Sequence, residues 1–231
     1  MSCLVWPVPA YAGGLCPLDS DSLVEAVDAP YREKLRGLLG RSPVEVTVRT
    51  PAFASSHEVY GYLLDRLPLA ATISRALGLG SYVIEPSGNG FSVSDQHSLS
   101  GLMHEASVAA DRRIYLGRGR YDGTWLRGVS GSVAVVLCYQ STTTETGTVA
   151  MTNTVHTVIR FDGPVIHSLA RLLSLLFERR IKAELEKPIV TAQGVAEAIT
   201  AWPQMVHIRI SSYGGATEAE AAEFKRLFIS D

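Results

Sequence analysis

The sequence has few cysteines, no surplus of either charge and no long apolar run, and each shortage removes a class of protein. Three cysteines in 231 residues, Cys3, Cys16 and Cys138, are too few and too scattered for the paired spacing of a disulfide framework or a zinc site. Cys138 lies inside an apolar run and reads as core. The formal net charge is only -2, and no stretch interleaves Lys and Arg with aromatics, so nucleic acid is not an expected partner. No window approaches the roughly 18 consecutive apolar residues of a membrane-spanning helix, because Asp65, Arg66, Pro68 and Arg75 interrupt the most apolar early stretch.

Local catalytic signatures are missing as well. There is no H-x-H or H-E-x-x-H spacing, and Gly128-Val129-Ser130-Gly131 does not form the G-x-S-x-G elbow. Gly117 and Gly119, with Arg118 and Arg120 beside them, form a glycine-arginine cluster that would suit an anion. They sit late in a strand rather than opening a helix, so a bend in a sheet flanked by solvated arginines is the expectation, not a nucleotide phosphate loop. No metal and no cofactor is implied by these residues.

What is present is enough apolar residue, 46% of the chain, to bury a substantial core in one domain with appendages. No internal repeat or low-complexity tract divides it, and Ser211 to Ala216 is the one stretch that resembles a flexible linker. At the start, Leu4 to Tyr11 is a short apolar segment, and Ala10-Tyr11-Ala12 before Gly13 has the small-x-small pattern of an export cleavage site, without a basic leader. Localisation therefore stays open between an exported or periplasmic chain and a cytoplasmic one.

Periodicity places the elements. Leu23, Val24, Val27, Tyr31, Leu35, Leu38 and Leu39 have helical spacing broken by Pro30, which predicts two short helices over 20 to 39. Val44 to Thr50 alternates as a strand, and Ser55 and Ser56 precede a helix pair running to Leu77. Tyr82 to Glu85, Gly90 to Asp95, Met103 to Tyr121, Ser132 to Gln140 and Thr148 to Phe161 are rich in Val, Thr, Tyr and Ile and are separated by turn residues, which predicts an antiparallel meander. Ile166, Leu169, Ala170, Leu173, Leu176, Phe177 and Ile181 form the apolar stripe of a long helix to about 186. Beyond Pro188, the pattern predicts a helix from Thr191 to Trp202, a strand from Val206 to Ser211 and a last helix opened by a Thr217/Glu220 capping box.

This order, a strand, two helices, a meander and one long C-terminal helix, resembles the helix-grip fold of the START and plant-allergen-like superfamily (SRPBCC). The resemblance covers about residues 44 to 187. It rests on Val44 to Thr50, the helix pair 56 to 78, Tyr121-Asp122-Gly123 before Gly131 to Leu137, and the amphipathic run 166 to 186. It implies an α+β fold in which a curved antiparallel sheet grips the long helix; residues 1–43, an N-terminal arm and helices, and 188–231, a C-terminal appendage packed on the same domain, fall outside the usual pattern. It also implies a cavity for a lipid-like hydrophobic small molecule, or a cyclase or aromatase on the same fold.

A curved sheet facing a single helix does not fill its interior with side chains once its strands are long. The expected lining is Tyr82, Met151, Asn153, Thr157, Leu169, Leu173 and Phe177, with an inward Asn153 or Thr157 fixing the polar end of the ligand because a buried amide or hydroxyl needs a partner. No catalytic residue is assigned; the enzyme alternative uses His104, Asp122 and His156 as an acid-base set. A third reading is an interaction module whose terminal helices dock a partner. Gly101-Leu102-Met103 and the leucine-rich helix suit a lip in transient contact with a membrane surface, or equally a protein contact.

Overall fold

The computed structural model describes residues 20–40, 44–123, 127–143, 147–162 and 174–229, without the side chains of 174–178. Two helices come first, α1 (Ser20–Ala26) and α2 (Ala29–Leu39), with Pro30 in the first turn of α2, where its missing N–H is not needed. Strand β1 (Val44–Arg49) and the short β2 (Phe53–Ala54) lead into α3 (His57–Asp65), capped by the Ser56 hydroxyl accepting from Val59 N at 3.1 Å, and α4 (Leu67–Ala76). Strands β3 (Val83–Ser87), β4 (Gly90–Ser94), β5 (Leu99–Ala109), β6 (Arg112–Tyr121), β7 (Val129–Thr143) and β8 (Val149–Phe161) follow, then α5 (Ser174–Ala201), α6 (Pro203–Tyr213) and α7 (Glu218–Phe228).

All strand pairs are antiparallel, in the order β1-β8-β7-β6-β5-β4-β3, with β2 beside β8. The meander is therefore present, and its last strand returns to pair with the first. The run Met103 to Tyr121 is two strands joined by a turn at Ala110 and Asp111, not one.

Glycines bend this sheet. Gly101, Gly119 and Gly131 stand in register across β5, β6 and β7, with Val93 and Phe161 at the two ends of the row. A β-carbon on Gly101 would lie 2.6 Å from the Arg118 carbonyl oxygen and 2.8 Å from Gly119 Cα; on Gly131 it would lie 2.7 Å from the Arg160 carbonyl oxygen. Neighbouring backbones close in on that side of the sheet as only glycine permits, which curls it toward the face these positions share. A bulge between Glu105 and Ser107 adds twist.

The inner face of the curl carries α3 to α7. Leu137, Tyr139, Met151 and Val155 from the strands pack with Tyr60, Leu63, Leu69, Ile73, Val195, Ile199, Val206, Ile210 and Phe224 in one core. Ile181, Leu185 and Ile189 of α5, at i, i+4 and i+8, seat on Val44, Val46, Val48, Ile159 and Phe161. The other side of the same helix meets the approach to β3, where Thr191 Oγ1 donates to the Leu79 carbonyl at 3.3 Å. The sheet thus holds α5 along its β1 edge, with the turn that leads into β3 on the helix's other side, in a helix-grip arrangement.

Three expectations about the C-terminal part are corrected. Pro188 does not end the long helix: α5 runs through it to Ala201, so the boundary drawn at 187/188 falls inside one element. A proline here lacks the N–H that would bond the Glu184 carbonyl, but Ile181, Leu185 and Ile189 before it and Val195, Ala196 and Ile199 after it are anchored in the core, and that burial offsets the loss. Val206 to Ser211 is helix, not strand. Pro203 opens α6, and Val206 and Ile210, one turn apart, are fully buried against the same core while Ile208 is 65% exposed. The linker assigned to Ser211 to Ala216 is correspondingly reduced, because helix extends to Tyr213. The final capping box is present, with Thr217 N donating to Glu220 Oε2 and Glu220 N to Thr217 Oγ1.

The outer face is covered too. Leu23, Val24, Val27, Leu35 and Leu38 from α1 and α2 pack on Ala106, Ile114, Leu116, Ala134, Val136, Cys138 and Val158. The N-terminal helices are a third layer. Cys138 is buried here and is also disulfide-bonded, which the reading of it as a plain core residue did not anticipate. Cys3 and Cys16 lie outside the described residues.

Candidate functional site

Alternation along β8 gives two side-chain sets, and the register decides which points inward. Met151, Asn153, Val155 and Thr157 share the face of Leu137 and Tyr139, under α3. Asn153 is held on both sides: its backbone N–H donates to Thr50 Oγ1 at 3.1 Å, and its Nδ2 donates to the Tyr60 hydroxyl at 2.7 Å. Burial pushes the Tyr60 phenol well above its ordinary pKa, so it stays a neutral partner to that amide. Phe53 and Tyr139 meet Tyr60 edge-on at 5.7 and 5.5 Å, and His57 lies 5.4 Å from Tyr139.

Met151, Asn153 and Thr157 are therefore brought onto one inner face, but at 0%, 2% and 0% exposure they are sealed by packing. Tyr82 is not with them. It sits just before β3 on the opposite edge of the sheet, where burial first, then the Asp95 and Glu184 charges, push its phenol up to about 12. Leu169 and Leu173 lie outside the described residues, and Phe177 is in α5 with no described side chain.

Among the described residues, the less covered part of the inner face lies elsewhere. Phe91 and Val93 on β4, Met103 on β5 and Val133 and Val135 on β7 all point inward and are only half-buried, with Ile84 of β3 beside them. Between them Gly117 pairs with both Met103 and Val133, and Gly101, Gly119 and Gly131 form the next row. Four positions with no side chain at the centre of an apolar surface make a shallow trough. None of these five strand residues was among the expected lining; the Gly-x-Gly spacing at 117 and 119, with Gly101 and Gly131, was the signal for them.

At one end of the trough stands a polar group. Glu105, inward on β5, pairs across the sheet with Tyr115, and its carboxylate is 3.9 Å from Arg113 Nη1. Arg113, 6% exposed, is itself bound to Asp65 of α3 at 2.5 Å. Desolvation is the largest influence on the Glu105 carboxyl and raises its pKa; Arg113 opposes it. Burial likewise raises the Tyr115 phenol. Glu105 Oε1 and the Tyr115 hydroxyl are both buried and face each other, and the interaction with that hydroxyl, like that with Arg113, works against the desolvation of the carboxyl.

The acid-base set expected from the enzyme alternative does not assemble. His104 faces outward under α2, its ring 6.2 Å from that of Tyr31. His156 also faces outward, hydrogen-bonded to Thr47 Oγ1 at 3.0 Å. The pairing His104–Leu116, Leu116–Ala134, Ala134–Val158 puts three inter-strand spacings between β5 and β8, on the order of 14 Å. Asp122 is at the rim, accepting from Gly128 N at 3.1 Å. Among the described residues no hydrogen bond or ion pair joins the three.

The arginines of the glycine-arginine cluster point outward as well, Arg118 toward Asp162 at 2.6 Å and Arg120 toward Asp122 at 3.7 Å. Arg118 borders a cleft of about 500 Å3 between α2 and the sheet, together with Lys34, Glu33 and Arg160, and Arg160 Nη1 donates to the Gly37 carbonyl at 2.8 Å. Its arginines are already partnered, so it is no ready anion site. In the Gly101-Leu102-Met103 lip, Leu102 is 50% exposed on the outside while Met103 faces the trough.

His156 carries a testable pH dependence. Burial lowers its pKa below the ordinary 6.5, against the pull of Glu45 3.9 Å away, so the folded ring stays neutral where the unfolded chain takes a proton. The stability this contributes is present above about 6.5 and is lost as pH falls from there through the lower value of the folded ring. Urea unfolding at pH 7.5 and 5.5 should show a smaller difference for His156→Gln, which keeps a polar partner for Thr47, than for the parent; equal differences would remove His156 as the cause.

No family model matches the chain, and no curated protein does. Solved structures do. A conserved protein from Geobacillus kaustophilus is 13% identical, with 67% of this chain and 95% of that one covered and a TM-score of 0.39. Truncated norcoclaurine synthase from Thalictrum flavum is 11% identical over 70% of this chain and 96% of its own, with a TM-score of 0.42. The di-domain ARO/CYC BexL from the BE-7585A biosynthetic pathway is 15% identical over 77% of this chain and 59% of its own, also with a TM-score of 0.42. By its own topology the chain is an α+β helix-grip protein with a second helical layer on the outside of its sheet.

Proposed function

We propose that this protein binds a hydrophobic small molecule in the trough over β4 to β7, as a carrier or sensor rather than a catalyst. One observation carries the reading: among the described residues, an apolar surface from Phe91 to Val135 is only half-buried around glycines that keep its centre low. Sites for apolar ligands are concave, mostly hydrophobic and fitted with a few polar groups. Here Glu105, with Tyr115 and Arg113 behind it, is the polar group at one end. The sealed residues Met151, Asn153 and Thr157 then act as the rigid wall behind the trough, and Tyr82 marks its far rim.

Organic extraction of the purified protein followed by mass spectrometry should return a hydrophobic molecule in near-equal molar amount. An apolar fluorescent dye should bind the emptied protein, and Val133→Trp, which fills the trough, should weaken that binding at least tenfold with little change in the urea midpoint. An empty extract together with dye binding indifferent to Val133→Trp would end the proposal.

A further inference from the structure

We infer that the ligand carries a protonated amine that sits on Glu105. The inference rests on the trough being the binding site and names the chemistry of its occupant. Among the described residues Glu105 is the only carboxylate whose strand position points inward: the other inward positions of β3 to β8 are apolar, glycine, Ser, Thr, Asn, Tyr or Arg113.

Arg113 does not cancel it. The guanidinium makes its close contact with Asp65 at 2.5 Å and stands 3.9 Å from Glu105, beyond hydrogen-bond reach. Two carboxylates and one guanidinium leave one negative charge over, and Glu105 is the carboxylate nearer the trough, with its Oε1 turned inward to Arg113 and Tyr115. Its side chain is 33% exposed, so a ligand can reach it, while the Met103 and Gly117 surface next to it excludes water on one side. A half-desolvated, partly exposed carboxylate that carries the surplus negative charge favours a cationic donor over a neutral one and disfavours an anion. A fatty acid, which would set a second carboxylate against Glu105, is the wrong occupant; an aromatic or aliphatic body bearing an ammonium group is the right one.

Three probes of one shape test this on the intact protein: 1-naphthylmethylamine, 1-naphthalenemethanol and 1-naphthoic acid. The amine should bind at least tenfold tighter than the alcohol, and the acid weakest. In Glu105→Gln the amine should fall to the level of the alcohol while alcohol binding stays within about twofold. Equal binding of amine and alcohol by the parent protein overturns the assignment to Glu105 and leaves the trough standing. Failure of all three to bind overturns both. The parent comparison needs no variant, so a folding defect in Glu105→Gln does not shield the inference.

Discussion

Gly101→Val is expected to lower the free energy of unfolding by about 3 kcal/mol or more, near the top of what overpacking produces. The β-carbon alone would lie 2.6 Å from the Arg118 carbonyl oxygen and 2.8 Å from Gly119 Cα. Both are backbone atoms of the paired strand, so no side chain can swing away to make room. The clash is relieved only by flattening the sheet, which pulls β5 from β6 along a row that also contains Gly119 and Gly131. Urea denaturation gives the number. Gly37→Ala is the control: it lies in α2 with nothing within 4 Å of its β-carbon position, and it should raise stability by about 0.5–1 kcal/mol through helix propensity. If Gly101→Val unfolds at the same urea concentration as the parent, the glycine row does not set the curvature.

Phe224→Ala should cost about 3–5 kcal/mol, the range for emptying an aromatic from a filled core. Phe224 is 0% exposed. Its ring meets Tyr62 of α3 at 6.4 Å and Phe228 at 5.1 Å, and Arg66, stacked 4.5 Å over the Tyr62 ring, binds Glu223 through both guanidinium arms at 3.0 and 2.6 Å. The last helix is therefore tied to α3 and α4 by a ring cluster and a bidentate ion pair. The loss should appear in a single transition that far-ultraviolet and near-ultraviolet dichroism follow together. Two separated transitions, with the sheet unaffected by Phe224→Ala, would mean that α7 is an independent attachment.

The element order could be read from residue pattern because local signals agreed with the final packing. Pro30 and Gly40 bound α2, the alternation of Val44 to Arg49 reads as β1, and the turn at Gly88, with its φ of 58°, separates β3 from β4. Where pattern and packing disagreed, packing decided. Val206-His207-Ile208-Arg209-Ile210 alternates like a strand, yet its residues settle at helical spacing because α4 and α7 offer a groove for Val206 and Ile210 and nothing for Ile208. Pro188 looks like a terminator until the anchors on both sides of it are known.

The site was harder to read for a different reason. Period two along β8 separates Met151, Asn153 and Thr157 from their neighbours but does not say which set faces in, and even an inward residue is useless to a ligand once α3 lies on it. Openness is a property of where helices end, not of the strand beneath. Only the glycines hinted at it, since each removes a side chain at a position that no nearby residue can make up.

On the proposed reading, the helices α1 and α2 restrict how the binding surface can adapt. They brace β5, β6, β7 and β8 from behind through Ala106, Ile114, Ala134 and Val158, so those strands have no freedom to bow backward when a bulky guest arrives. Among the described residues no such brace stands behind the β3 and β4 hairpin. In the proposed carrier, accommodation of guests of different size would fall to that hairpin, the adjustable jaw of an otherwise fixed vice.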